Sequence, residues 1–131
     1  MLKKIKRILY RSFENKEISY KKLQEMMDKD KYAILLDVRS PQEFNEGHLS
    51  GAINIPLYDF KKKLNKLPNK ESLIIIYCTS GHRSKQAKEK LEKMGYENVY
   101  HLKNGLDGMW TFCPLSHLWK SRIKYVYLIT V

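Results

Sequence analysis

Cys78 stands where an apolar run, Leu73 to Tyr77, gives way to Thr79-Ser80-Gly81-His82-Arg83-Ser84 and then to the helical spacing of Ala87, Leu91 and Met94. The first segment reads as a buried strand and the last as a helix, which puts the cysteine at a strand-loop-helix turn. There the amides of Thr79 to Arg83 converge on the sulfur, and the helix adds the positive end of its dipole. Both stabilise a thiolate. Cysteines so placed ionise well below the roughly 8.5 of a free thiol, and a thiolate is the nucleophilic form. The other role open to Cys78 is that of a small core hydrophobe ending a strand. Arg83 follows after four intervening residues and supplies either a fixed charge for an anion or a brace for the loop. His82 either adds charge or is an exposed side chain without a role.

A second stretch, Leu35-Leu36-Asp37-Val38-Arg39-Ser40-Pro41-Gln42-Glu43-Phe44, repeats the theme of a strand ending in a charged loop. Ala33 to Val38 is apolar apart from Asp37, as a strand covered on both faces requires. Ser40-Pro41-Gln42-Glu43 has capping-box spacing with proline at the first helical position, so a short helix starts at Pro41. Gly47 suits a left-handed residue ending it. His48 falls in the turn beyond, where it is expected to bond backbone groups. Asp37 and Arg39 lie at a strand's carboxyl end, the edge where parallel sheets place their ligand crevice; they either serve that crevice or tie strand to loop.

The remaining elements alternate helix and strand in the manner of an α/β fold. Ser19 caps a helix carrying Leu23, Met26 and Met27, and a helix through Phe60, Leu64 and Leu67 follows Pro56. The helix from Arg83 to Met94 closes at Gly95, and a strand at Val99 completes the pattern. The chain of 131 residues suits one domain. Residues 1–17 form a basic amphipathic segment, with Leu2, Ile5, Ile8 and Leu9 among lysines and arginines. It either packs on the domain or lies on an acidic membrane surface, and it has no apolar run long enough for a secretory signal or a membrane span. The formal charge of +11, from 25 Lys+Arg against 14 Asp+Glu, favours anionic partners, whether small oxyanions, acidic proteins, nucleic acid or a lipid surface. The lysines are scattered over helix faces without a nucleic-acid motif. Cys78/His82 and Cys113/His117 form two similar Cys/His pairs with zinc-ligand residue types, but tight ligation would consume the nucleophile. Two distant cysteines suit a reducing compartment, the cytoplasm.

Taken together, the Cys78 to Arg83 loop, the Leu35 to Phe44 stretch with Gly47-His48-Leu49 and Gly51-Ala52-Ile53-Asn54-Ile55-Pro56, and Gly95-Tyr96-Glu97-Asn98-Val99-Tyr100 resemble the rhodanese-like family from about Ile18 to Asp107. The related phosphatase cradle is one residue longer between Cys and Arg. The resemblance implies a rhodanese-like α/β fold over residues 18–110, with a central, mostly parallel sheet and helices on both faces. It also implies a sulfurtransferase in which Cys78 becomes a persulfide and Thr79, Ser80, Gly81, His82 and Arg83 hold the substrate; Asp37 and Arg39 either support that site or only tie strand to loop. The donor would be a small sulfur anion such as thiosulfate or a persulfide, and the acceptor a thiol or protein persulfide. No metal or organic cofactor is implied. A binding module without activity is the competing role for the same fold. Two departures stand out: Thr79 replaces a frequent basic residue, and Asn104-Gly105 replaces a Gly-Gly pair. Residues 111–131 lie outside the resemblance and end in an apolar, β-prone run, Tyr125 to Val131, that needs cover.

Overall fold

The computed structural model describes residues 16–110 and 126–127. The basic segment at the start, Cys113, His117 and most of the tail lie outside the described residues. In chain order the elements are β1 (Glu17–Ile18), α1 (Tyr20–Lys29), β2 (Ile34–Asp37), α2 (Pro41–Glu46), β3 (His48–Leu49) and β4 (Ile53–Asn54). A short 3-10 turn (Leu57–Asp59), α3 (Phe60–Lys63) and a second 3-10 turn (Leu64–Lys66) lead to β5 (Leu73–Tyr77). Then come α4 (His82–Lys93), β6 (Asn98–Leu102), α5 (Gly105–Trp110) and β7 (Val126–Tyr127). Strands β1, β6, β5, β2 and β4 form a five-stranded sheet in that spatial order, and every pairing in it is parallel. β7 pairs antiparallel with β3, Leu49 opposite Val126, so this part of the tail adds a strand.

The alternation of side chains along β5 divides the core. Ile74, Ile76 and Cys78 face one apolar layer with Ala87 and Leu91 of α4, Phe60 and Leu67. Ile75 and Tyr77 face the other, with Leu23 of α1, Leu102 and Met109 of α5. Both faces of β5 are thus covered, which explains its unbroken apolar sequence. Each fully buried aliphatic side chain stabilises by roughly 1.5–3 kcal/mol, and Leu36, Ile74, Ile75, Ile76 and Leu91 are all at 0% exposure.

Several boundaries depart from the sequence pattern. The helix expected through Phe60, Leu64 and Leu67 is broken into the two 3-10 turns and the four residues of α3, with Leu67 extended at φ −86° and ψ 140°. Pro68 disfavours a helical conformation at the residue before it. Gly47 is not left-handed; at φ 155° and ψ 136° it leads straight into β3, so His48 lies in a strand and not in a turn. β1 was not apparent in the sequence, because two residues carry no periodicity.

The helix α5 docks against the end of β5 through main-chain hydrogen bonds as well as through Met109. Leu106 N–H donates to the Cys78 carbonyl at 3.0 Å and Asp107 N–H to that of Thr79 at 2.9 Å. Asn104 at φ 61° is the only non-glycine with positive φ among the described residues, and asparagine tolerates that left-handed geometry. At Gly105, φ 56°, a Cβ would fall on the carbonyl groups of Cys78 and Thr79. Gly105→Ala is therefore expected to lose roughly 1–2 kcal/mol from backbone conformation alone, with a further loss from the clash, as a lowered denaturation midpoint will show.

Candidate functional site

The sulfur of Cys78 lies at the base of α4, fully buried. It accepts the Gly81 N–H at 3.1 Å and the Ser84 N–H at 3.4 Å, and lies 3.6 Å from the Ser84 hydroxyl. Gly81 is the N-cap of α4 and makes no side-chain capping bond; the cysteine sulfur takes the place of that missing acceptor. The first amides of any helix lack internal partners, and here two of the amides at this end point at one sulfur atom. Gly81 reaches this geometry at φ 99°, where a Cβ would also lie 3.2 Å from Asn104 N.

The loop is braced from α2. Arg83 forms a forked pair with Glu43, Nη1 to Oε1 at 2.7 Å and Nη2 to Oε2 at 2.9 Å, and Nη2 also reaches Thr79 Oγ1 at 3.3 Å. The Thr79 hydroxyl donates to Glu43 Oε2 at 3.2 Å. Glu43 meanwhile completes the capping box of α2: its amide donates to Ser40 Oγ at 3.2 Å and its Oε1 accepts Ser40 N–H at 3.3 Å. The Arg83 hydrogen bonds, opposed by desolvation and aided by Ser40, hold the Glu43 carboxyl down at about 2 from an ordinary 4.5.

Asp37 and Arg39 form a separate, buried clamp. Arg39 Nη2 lies 2.8 Å from Asp37 Oδ2, and Arg39 N–H donates to Asp37 Oδ1 at 2.9 Å. The same guanidinium donates to the Gly47 carbonyl at 2.6 Å, while Asn54 Nδ2 donates to the carbonyls of Asp37 and Arg39. With both charges satisfied internally, the pair ties β2 to the loops around it. His48 bonds the Phe44 carbonyl through Nδ1 at 2.8 Å and stacks on the Phe44 ring, centroids 3.7 Å apart, so it bonds backbone as the sequence implied.

Of the loop residues expected to surround an anion, the structure assigns different partners to each. Gly81 contributes its amide to the sulfur, Thr79 turns its hydroxyl to Glu43, and Arg83 braces. Ser80 and His82 are exposed and bond one another, Oγ to Nδ1, at 3.0 Å. Ser84, one position past the expected substrate loop, supplies the second amide. Glu43 carries only a capping signature in the sequence; nothing local signals a partner 40 positions away. Exposed His82 and buried Cys78 occupy different environments, and among the described residues no cluster of three or more His, Cys, Asp or Glu is placed to hold a metal.

A parallel α/β domain with a cysteine-headed anion loop is the class these features define. The rhodanese-like domain model matches residues 19–111, and the chain belongs to that family. It is 43% identical over 65 residues to the thiosulfate sulfurtransferase PspE of Escherichia coli, covering 49% of this chain and 62% of that protein. It is 35% identical over 90 residues to the putative sulfur carrier protein YrkF of Bacillus subtilis, covering 69% and 48%. The chain thus spans less than two thirds of the length of these relatives. Among solved structures, a rhodanese-related protein from Thermoplasma volcanium superposes with a TM-score of 0.64 at 28% identity, over 74% of this chain and 92% of that one. A rhodanese with anions from E. coli gives 0.53 at 39% identity, over 58% and 89%. Among the described residues no helix is long and apolar enough to cross a membrane.

Two substitutions separate the braces. Because the folded Glu43 carboxyl titrates near 2, its contribution is complete above the unfolded value and disappears as pH falls through about 2. Glu43→Gln is therefore expected to be less stable than the parent at neutral pH, with the two melting curves converging on acidification. Asp37→Asn leaves a buried guanidinium without its counter-charge, a change that costs about 3–5 kcal/mol, measurable by urea denaturation.

Proposed function

We propose that this protein is a sulfurtransferase in which Cys78 carries a sulfane sulfur from a small anionic donor to a thiol or protein persulfide acceptor. The observation that carries this is the Cys78 sulfur held by two helix-terminal amides, Gly81 and Ser84, an arrangement that stabilises negative charge on sulfur while leaving its lone pairs to react. The Cys78 thiolate attacks the outer sulfur of the donor. The donor's sulfur-sulfur bond breaks, sulfite departs when the donor is thiosulfate, and Cys78 is left as a persulfide. An acceptor thiolate then attacks the outer persulfide sulfur and releases the Cys78 thiolate, so the cycle closes without a redox cofactor.

The name of the E. coli relative, a thiosulfate sulfurtransferase, supports thiosulfate as a donor. The uncharged Thr79, bonded to Glu43, weakens the field available to a dianion and favours a persulfide donor in its place. Arg83 acts through the loop: its fork on Glu43 fixes the turn that aims the amides. The chemistry needs a reducing compartment, for which the cytoplasm is the natural choice.

Sulfur transfer from thiosulfate and from a low-molecular-weight persulfide, to several thiols, tests the assignment. Cys78→Ser is expected to fold and to lose transfer, while the parent gains one sulfur atom on Cys78 after donor treatment, read by mass spectrometry. Persulfide confined to Cys113, or turnover in the Ser variant, would overturn the mechanism; no transfer from any donor would leave a binding module. Arg83→Ala is expected to slow transfer on the order of a hundredfold, the effect of a displacement of about 1 Å, with partial recovery in Arg83→Lys, because an ammonium cannot reproduce the fork.

A further inference from the structure

Behind the Cys78 sulfur lies a line of polar groups that sulfur transfer as described does not use. Ser84 is fully buried, and its hydroxyl lies 3.6 Å from Cys78 Sγ, 3.0 Å from the Gly81 carbonyl and 3.2 Å from His101 Nδ1. One hydroxyl hydrogen therefore has three acceptors within reach. His101 is 3% exposed. It pairs in register with Ile76 of β5 and with Glu17 of β1, which puts the imidazole on the same face as Cys78. Its Nε2 stands 3.3 Å from Glu17 Oε1 but has no in-line hydrogen-bond partner. It borders a cleft beside the loop whose wall includes Glu17, Gly81, Lys85 and Lys103.

We propose that Ser84, His101 and Glu17 form a proton path that ionises Cys78 and opens into this cleft. In the thiol state Cys78 S–H points to Ser84 Oγ and the Ser84 O–H to His101 Nδ1, while Nε2–H lies near the Glu17 carboxylate without an in-line bond to it. On ionisation the S–H bond breaks and its proton bonds to Ser84 Oγ, while the former Ser84 hydroxyl proton bonds to His101 Nδ1. The result is a thiolate accepting the Ser84 O–H and an imidazolium facing Glu17. Total charge is unchanged and no outside reagent is needed. His101 is a positioning residue, because it reaches the sulfur through Ser84. Burial pushes its imidazole down from the usual 6.5, Glu17 opposes this, and Lys88 and Lys85 of α4 reinforce it; Lys103 also borders the cleft. The ring is thus neutral at physiological pH, and its protonation is coupled to the appearance of the thiolate on the far side of Ser84.

The path deepens the sulfurtransferase assignment by giving its nucleophile a base, and its test needs no sulfur donor. Ionisation of Cys78 is followed by ultraviolet thiolate absorbance, as the difference between each protein and its Cys78→Ser counterpart. His101→Asn keeps a hydrogen-bond acceptor for Ser84 but cannot take the proton, and is expected to move half-ionisation up by about one pH unit, a tenfold loss of thiolate below the midpoint. Glu17→Gln, at the partly exposed end of the path, is expected to move it in the same direction by less. An unchanged midpoint in both variants, or a His101 ring whose nitrogen NMR shifts stay those of a neutral imidazole while the thiolate forms, would overturn the path. Shifted midpoints in a protein that transfers no sulfur would uphold the path and refute the sulfurtransferase; transfer with unmoved midpoints would do the reverse.

Discussion

Strand β5 is hydrogen-bonded along both edges, to β2 and to β6, and its side chains are buried on both faces. A strand so enclosed cannot slip along the sheet without moving its side chains to the wrong face, so the residue just after it, Cys78, has a fixed origin. Everything that distinguishes the site is an arrangement of later segments around that point. The helix α4 brings amides to the sulfur, α5 brings amides to the carbonyls behind it, and α2 brings a carboxylate to the arginine that closes the loop. The main chain on either side of the cysteine is thus hydrogen-bonded, while its sulfur is left to the two amides of α4.

This division of labour explains why charge plays two different parts in neighbouring loops. Asp37 and Arg39 are buried and mutually satisfied, with side chains at 0% and 8% exposure, and they serve to hold β2, Gly47 and Asn54 in register. Arg83 and Glu43 are about one third exposed, so solvent screens them and their value lies in the direction of the fork more than in net attraction. Neither guanidinium is left over as a free cation facing the sulfur. What faces the Cys78 sulfur are main-chain dipoles, which, unlike a flexible side chain, need no reorganisation when charge appears.

Much of this was readable from local sequence. Ser40, Pro41 and Glu43 announce the start of α2 because a capping box joins two residues only three positions apart; Leu73 to Tyr77 announces a buried strand because β-branched runs have few other uses. Cys78 followed these signals at a position that geometry makes chemical. What sequence could not supply are the contacts between segments far apart in the chain. Glu43 and Arg83 meet only because β2 and β5 are neighbours, and His101 meets Ser84 only because β6 lies on the other side. The helix expected near Phe60 failed for a local reason instead, since its apolar spacing is helical while Pro68 and the absence of capping side chains prevent a continuous helix. Asn104 stands where the family pattern has glycine, and its φ of 61° is a conformation that both residue types tolerate.

Glu43 has one carboxylate and two duties, as the capping acceptor of α2 and as the anchor of the Arg83 loop. Fraying of the first turn of α2 and loosening of the loop around Cys78 are therefore one cooperative event rather than two. Changes at Ser40 and at Arg83, on different elements and without a mutual contact, will not be additive, since each alters the carboxylate on which the other depends. The order of the sulfur site is thereby linked to the stability of a six-residue helix that contributes no atom to the sulfur itself.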